Sequence, residues 1–358
     1  MTATSIQFLD GGLGTSLEDE YGFHFSETTP LWSSHLLLSD RDILTSCQRA
    51  FAEIPVDVLL TATYQMSAEG FGRTRTDFYP AGVPREEIGD FLDAAVSILE
   101  EVKQPETKIA LSLGPYGAVM VPSQEYSGQY DDEHDSTDKL FRWHIDRISL
   151  FYAIPNLERR VNYLAFETVP RLDEILAIRQ VASLLSSQSQ DAATASPLGR
   201  TPFWISCVFP GADHTLPDGS SIDQVIQALL SAEHSGSIPW GIGINCTKIA
   251  HLSDLVAAFE KSVRDLQERG QLASWPSLLL YPDGTNGEVY DTTTKSWRLP
   301  ISPAKETSWE EQLADIVSQA QSRGCWQSII AGGCCKATHA DIARLRSHVI
   351  SKERKKAA

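Results

Sequence analysis

The chain has 358 residues, 42% of them hydrophobic and 22% charged, enough to fill the core of one large globular domain or two medium ones. Its formal net charge of −17 lacks the basic face that nucleic acid or an anionic membrane surface rewards, and it favours small cationic ligands. Residues 1–7 show no basic stretch leading into an apolar one, and no apolar run nears the ~18 residues of a membrane span. The expectation is a cytoplasmic protein with neither a nucleic-acid nor a membrane partner.

Short apolar runs rich in branched residues recur at 6–10, 56–61, 108–113, 163–167, 203–208, 241–245, 277–281 and 328–331, and each reads as a strand. Helical periodicity marks 40–54, 85–103, 136–153, 171–185, 221–234, 251–268, 308–323 and 339–352. Acceptor side chains at Ser39 or Asp40, at Ser308 ahead of Glu311, and at Ser253 and Asp254 read as first-turn caps. Strands alternating with helices imply parallel pairing, and runs apolar throughout imply cover on both faces. Eight such units predict an α/β fold, a closed (β/α)8 TIM barrel, as a single domain over 1–358.

Three segments depart from the pattern. Residues 184–200 are polar and of low complexity, and read as a flexible insertion on the face away from the active rim. Residues 115–135, with Tyr116, Tyr126 and Tyr130, follow the third strand and read as a lid on that rim. Residues 352–358 read as a frayed basic tail.

Barrel chemistry gathers where strands end. Cys246 ends the sixth run, in Gly243-Ile244-Asn245-Cys246, and Cys334 and Cys335 follow the last run after Gly332-Gly333. If both runs are parallel strands of one barrel, the three thiols leave the same rim and converge on one metal. Adjacent cysteines do not form an unstrained disulfide, which wants Cα atoms ~5–6 Å apart. A glycine bend, however, lets both face one ion. Three thiolates with a fourth position open suit Zn²⁺. Cys47 and Cys207 read as packing residues, and Cys325 beside Trp326 as a core thiol.

These motifs, together with Asp10-Gly11-Gly12, Thr61-Ala62-Thr63-Tyr64-Gln65, Gly114-Pro115-Tyr116-Gly117 and Glu167-Thr168-Val169-Pro170, resemble the homocysteine S-methyltransferase family over nearly the whole chain. Ala62 and Lys336-Ala337-Thr338-His339 depart from the usual pattern. The resemblance implies a zinc-dependent barrel in which Cys246, Cys334 and Cys335 ligate Zn²⁺ and through it act in catalysis. Asp10 and Glu167 would hold the substrate ammonium with backbone at Gly11, and Thr63 would line the same pocket. The implied reaction moves a methyl group from a sulfonium donor, S-methylmethionine or S-adenosylmethionine, to L-homocysteine, giving methionine. Tyr116 and Tyr281, near strand ends, would face the sulfonium by cation–π contact.

Other readings use the same residues. The site would also serve selenocysteine or another small thiol. A zinc hydrolase would need strand-end histidine and carboxylate ligands, and none of the nine histidines forms such a pair. A zinc- or thiol-binding regulator without turnover would bind metal yet form no methionine.

Overall fold

The computed structural model describes residues 4–26, 28–188, 196, 198–272, 274–285, 288–291, 296–298 and 307–357. The apolar runs become β1 (Ser5–Phe8), β2 (Val58–Leu60), β3 (Lys108–Leu113), β4 (Tyr163–Val169), β5 (Phe203–Cys207), β6 (Gly241–Lys248) and β7 (Ser277–Asp283). After β7 come two short strands, β8 (Val289–Asp291) and β9 (Ser296–Arg298), and then β10 (Ser328–Ala331). Eight of these form one sheet in the order β1-β10-β7-β6-β5-β4-β3-β2, and every pairing in it is parallel. A parallel bridge between Leu9 and Val58 joins the two outermost strands, and the Asp57 amide donates to the Phe8 carbonyl at 2.8 Å. The sheet thereby closes into the predicted TIM barrel.

Side chains two apart on a strand share a face, which sorts the buried residues into two cores. Leu9, Val58, Ala110, Tyr163, Ala165, Trp204, Leu279, Tyr281 and Ile330 pack together inside the barrel. Their neighbours in sequence, such as Leu111, Leu164, Leu278 and Leu280, pack outward in the larger core that includes helical residues such as Leu92, Ile178 and Phe259. Stepping two residues up the inward face from Ala110 and Ala165 reaches Ser112 and Glu167. The barrel's apolar floor thus passes directly into a polar upper layer at the carboxyl ends.

The helices stand where periodicity places them, among them Arg41–Ala52, Ile88–Val102, Thr137–Phe151, Ile249–Glu268 and Trp309–Arg323. Asp40 caps the first of these, accepting from the Ile43 amide at 3.0 Å, and Ser308 caps the last, accepting from the Glu311 amide at 3.3 Å. Ser253 and Asp254 do not cap, because the helix already begins at Ile249, directly off the end of β6. The hairpin of β8 and β9 was not foreseen; its residues lack the apolar alternation that marks a covered strand.

Residues 352–357, expected as a frayed tail, are helical. The final helix runs His339–Ala357, and Lys352 and Lys356 tie it to Asp315, the Ser318 carbonyl and Ser322 of the preceding helix. The insertion expected at 184–200 falls largely outside the described residues; its start continues the helix Leu172–Gln188. No described helix is long and apolar enough to cross a membrane.

Candidate active site

At the carboxyl rim β6 bends sharply after Asn245. The register with β7 shifts between Asn245 and Lys248, and Cys246 adopts a left-handed φ of 46°, a conformation that carries strain for a residue with a Cβ. Its neighbour β4 does the same: the register shifts between Phe166 and Val169, and Thr168 has φ 59°. Asn245 joins the two bends. Its Oδ1 accepts from the Thr168 amide at 2.8 Å and its Nδ2 donates to Thr168 Oγ1 at 2.7 Å. Thr168 Oγ1 in turn donates to Cys246 Sγ at 3.7 Å. Asn245 therefore fixes Cys246 and, one residue before Thr168, Glu167 in a common frame.

The end of β10 is set by close approach. A Cβ on Gly332 would lie 2.6 Å from Leu9 Cβ and 2.7 Å from the Asp10 carbonyl, so only glycine fits there. The chain then threads between β1 and β7: the Gly333 amide donates to the Asp10 carbonyl at 3.0 Å and the Cys334 amide to the Pro282 carbonyl at 2.8 Å. The Cys335 carbonyl accepts from the Gly284 amide at 2.7 Å.

These bends bring the three predicted thiols together. The sulfurs of Cys246, Cys334 and Cys335 lie within 4.8 Å of one another, the one such cluster of cysteine, histidine and carboxylate ligand atoms among the described residues. Cys246 and Cys334 are paired as a disulfide, with Cα atoms 5.5 Å apart, and Cys335 is a free thiol that burial pushes up to about 12. A soft, all-sulfur donor set at the wall of a cavity fits Zn²⁺ with a position left for a ligand, once the pair is reduced to thiolates. Of the remaining cysteines, Cys47 and Cys207 are buried packing residues, while Cys325 is half-buried at the core's edge.

The cavity beside the thiols is lined by Asp10, Gly11, Ser112, Glu167 and Tyr281 from strand ends, and by Met120, Glu125 and Tyr126 from the stretch expected to form a lid. Asp10 and Glu167 are buried, at 7% and 5% exposure. Asp10 Oδ2 accepts from the Leu60 amide and Glu167 Oε2 from Ser112 Oγ, both at 2.8 Å. Their other oxygens, Asp10 Oδ1 and Glu167 Oε1, are buried with no hydrogen-bond partner. Burial raises the Asp10 carboxyl well above its usual range, with the nearby Glu167 adding to the rise. Burial likewise brings Glu167 to about 7, tempered by the neighbouring Ser112 and Tyr281 hydroxyls and by the charge of Arg147. Two close carboxyl groups with free acceptor oxygens form a socket for a group that brings both positive charge and N–H donors.

Two expected residues do not reach the cavity. Thr63 is fully buried, its hydroxyl engaged with Thr61 Oγ1 and the Ser112 carbonyl, each at 2.6 Å; Thr61 lines the cavity instead. Tyr116 packs against Tyr130, His134 and Trp143 and donates to Asp131, because the short helix Tyr116–Val119 turns its ring away from the lining. Tyr281 does line it, and its hydroxyl accepts from Trp204 Nε1 at 3.2 Å.

Further residues line the cavity. Tyr126 does so from the stretch expected to form a lid and Tyr64 from the Thr61–Gln65 motif, while Glu125 and Trp297 were singled out by no motif. Arg147, fully buried on the helix Thr137–Phe151, donates to the carbonyls of Thr63, Tyr64, Met66 and Gly114, holding the loops after β2 and β3. Glu174 anchors the lid stretch, accepting from the Tyr116 amide at 2.7 Å and from the Tyr130 hydroxyl at 2.5 Å. Arg147→Met would strip the donor from the Met66 and Gly114 carbonyls, while those of Thr63 and Tyr64 keep the Met66 and Gly114 amides; the expected result is a loss of about 3 kcal/mol, read as a lower midpoint in urea unfolding.

A family model described as homocysteine S-methyltransferase matches residues 7–349. The Escherichia coli homocysteine S-methyltransferase is 29% identical over 347 residues, covering 96% of this chain and 94% of that protein. The Bacillus subtilis homocysteine S-methyltransferase YbgG is 26% identical over 94% of this chain and 92% of its own length. A Drosophila melanogaster betaine-homocysteine S-methyltransferase is 25% identical over 89% of this chain and 87% of its own. Among solved structures, the metallated form of the homocysteine methyltransferase MmuM from Escherichia coli superposes with a TM-score of 0.62 at 25% identity, covering 96% of both chains. With the barrel, the thiol cluster and a match to the family model over nearly its full length, the chain belongs to the homocysteine S-methyltransferase family.

Proposed function

We propose that the enzyme transfers a methyl group from a sulfonium donor, S-methylmethionine or S-adenosylmethionine, to homocysteine held at a zinc site of Cys246, Cys334 and Cys335. Methyl transfer to homocysteine follows from the family. The observation that carries the rest is the convergence of three thiols within 4.8 Å on the wall of a cavity also lined by Asp10 and Glu167, each with one buried carboxylate oxygen unpartnered.

Zinc, when bound there, supplies a Lewis acid that makes the substrate thiol acidic enough to exist as thiolate at neutral pH. The residues of the chain do the remaining work. Asp10 Oδ1 and Glu167 Oε1 take the homocysteine ammonium and so fix where its sulfur lies relative to the cysteines. The Gly11 backbone lines the same socket. Asn245 and Thr168 hold Cys246 and Glu167 in register, so the two anchoring points of one substrate cannot drift apart. In the transfer, the homocysteine sulfur provides the electron pair for the new S–CH₃ bond. The donor's S–CH₃ bond breaks with its pair remaining on the donor sulfur, which becomes a neutral thioether, and the thiol proton has already passed to solvent. Positive charge on the donor is drawn to a cavity whose described lining carries three acids and no Lys, Arg or His.

The test is methionine formation by reduced, zinc-loaded protein given homocysteine with S-methylmethionine, S-adenosylmethionine or betaine. Turnover with a sulfonium is expected; no methionine with either sulfonium rejects the donor assignment.

The socket also sets a pH dependence. Glu167 must be ionised to pair with an ammonium, yet in the free protein it keeps its proton up to about 7. Ligand binding therefore displaces that proton when the pH is below this value. Methionine, which has the ammonium but no thiol proton, is expected to bind about tenfold more weakly for each pH unit below that point. Calorimetric titration between pH 5 and 8 would show this slope, and Glu167→Gln would flatten it. The same shift acts on stability with the opposite sense. Between the ordinary 4.5 and about 7 the folded chain holds a proton that the unfolded chain has released, so Glu167 weakens the ligand-free fold as pH rises through that window.

A further inference from the structure

Glu125 is not used in the steps above. It lies on the stretch between β3 and the helix Thr137–Phe151, in the wall of the same cavity, and is only 6% exposed. Its Oε2 is buried without a hydrogen-bond partner. Burial lifts its carboxyl to about 7 even though its own backbone amide and Ser123 offset part of the rise. Its charge acts on Tyr64, Tyr126 and the Cys335 thiol, all of which line the same cavity. No cation among the described lining residues is available to it.

A buried carboxylate with a bare acceptor and no counter-charge is unfavourable in the empty protein, and a ligand that supplies both charge and an N–H relieves it. Asp10 and Glu167 already take the one ammonium that homocysteine brings. A second cationic ligand is therefore needed, and the reaction requires one, since the methyl donor enters the same cavity.

We infer that Glu125 is the donor-recognition residue, its Oε2 accepting from the primary ammonium of an amino-acid sulfonium, and that it selects such donors over betaines. This rests on the sulfonium reading above. A betaine's quaternary nitrogen has no N–H to give, and its carboxylate would meet Glu125 with like charge. A sulfonium that carries an α-amino group gives the orphaned oxygen an N–H donor and sets a positive charge against Glu125.

The test compares S-methylmethionine with (3-carboxypropyl)dimethylsulfonium, which differs in lacking the amino group. Calorimetric binding is measured on reduced, zinc-loaded wild-type protein and on Glu125→Gln, with homocysteine titrated separately. Wild type is expected to bind S-methylmethionine at least about tenfold more tightly than its desamino analogue, one decade being ~1.4 kcal/mol. Glu125→Gln is expected to erase that difference while homocysteine affinity and zinc content stay within about twofold. Equal wild-type affinity for the two sulfoniums overturns the inference without any variant, and so does an undiminished preference in Glu125→Gln. An equal loss of homocysteine affinity in the variant also overturns it, because Glu125 would then belong to the other socket. Wild type that binds homocysteine but neither of these sulfoniums overturns the inference, and if it also makes no methionine from S-methylmethionine or S-adenosylmethionine the donor assignment itself is rejected. Turnover with S-methylmethionine unaltered in Glu125→Gln rejects only the role of Glu125.

Discussion

Cys335→Ser is expected to remove stoichiometric zinc and to lower kcat/KM for methionine formation on the order of 10³-fold or more, ~4 kcal/mol of lost transition-state stabilisation. Serine keeps the backbone bond from the Gly284 amide to the residue 335 carbonyl, so the bend between β10 and the final helix survives. What changes is one donor atom. An alcohol does not ionise near neutral pH as a metal-bound thiol does, and its oxygen is a harder ligand than the other two sulfurs of the set. The loss therefore appears in metal content and turnover, with thermal unfolding shifted only slightly. Metal analysis after reduction, beside a melting curve, separates the two effects. Full zinc and undiminished activity in the variant would show that Cys335 is not part of the working site.

The second large effect is expected at the ammonium socket. Asp10→Asn and Glu167→Gln each keep the shape of the side chain and its bond to the Leu60 amide or the Ser112 hydroxyl, but remove the charge. Each is expected to raise KM for homocysteine about 10- to 100-fold, ~1.4–2.8 kcal/mol, with a smaller effect on kcat and none on zinc content. The two changes share one ligand group and press on each other's ionisation, so the double variant should lose less than the product of the single effects. Steady-state kinetics with homocysteine varied at saturating donor reads this directly. A loss in kcat alone, with KM unchanged, would place these carboxylates in the chemistry rather than in substrate binding.

The barrel was legible because its strands are covered on both faces. β4 and β5 are buried at every position, and such runs stand out against the amphipathic helices between them. The thiols were legible for a related reason: Cys246 directly follows the sixth run, Cys334 and Cys335 follow the last run after two glycines, and parallel strands of one barrel deliver their ends to one rim. Glu125 was not, because it lies in a stretch without periodicity, and its approach to the cavity depends on loop anchoring by Glu174 and Arg147. Thr61 rather than Thr63 lines the cavity for a physical reason. The chain leaves the sheet after Leu60, the strand alternation ends there, and Thr61 takes the cavity position while Thr63 turns into the fold. The β8–β9 hairpin, which puts Trp297 on the cavity wall, was not legible because each of its strands is only three residues long, too short to display a period.

Zinc-edge X-ray absorption on the reduced, metal-loaded protein, recorded with and without homocysteine, tests the central claim most directly. The three clustered cysteines predict three sulfur neighbours alone and a fourth when homocysteine is added. A shell of nitrogen and oxygen, or a sulfur count that homocysteine leaves unchanged, would contradict it.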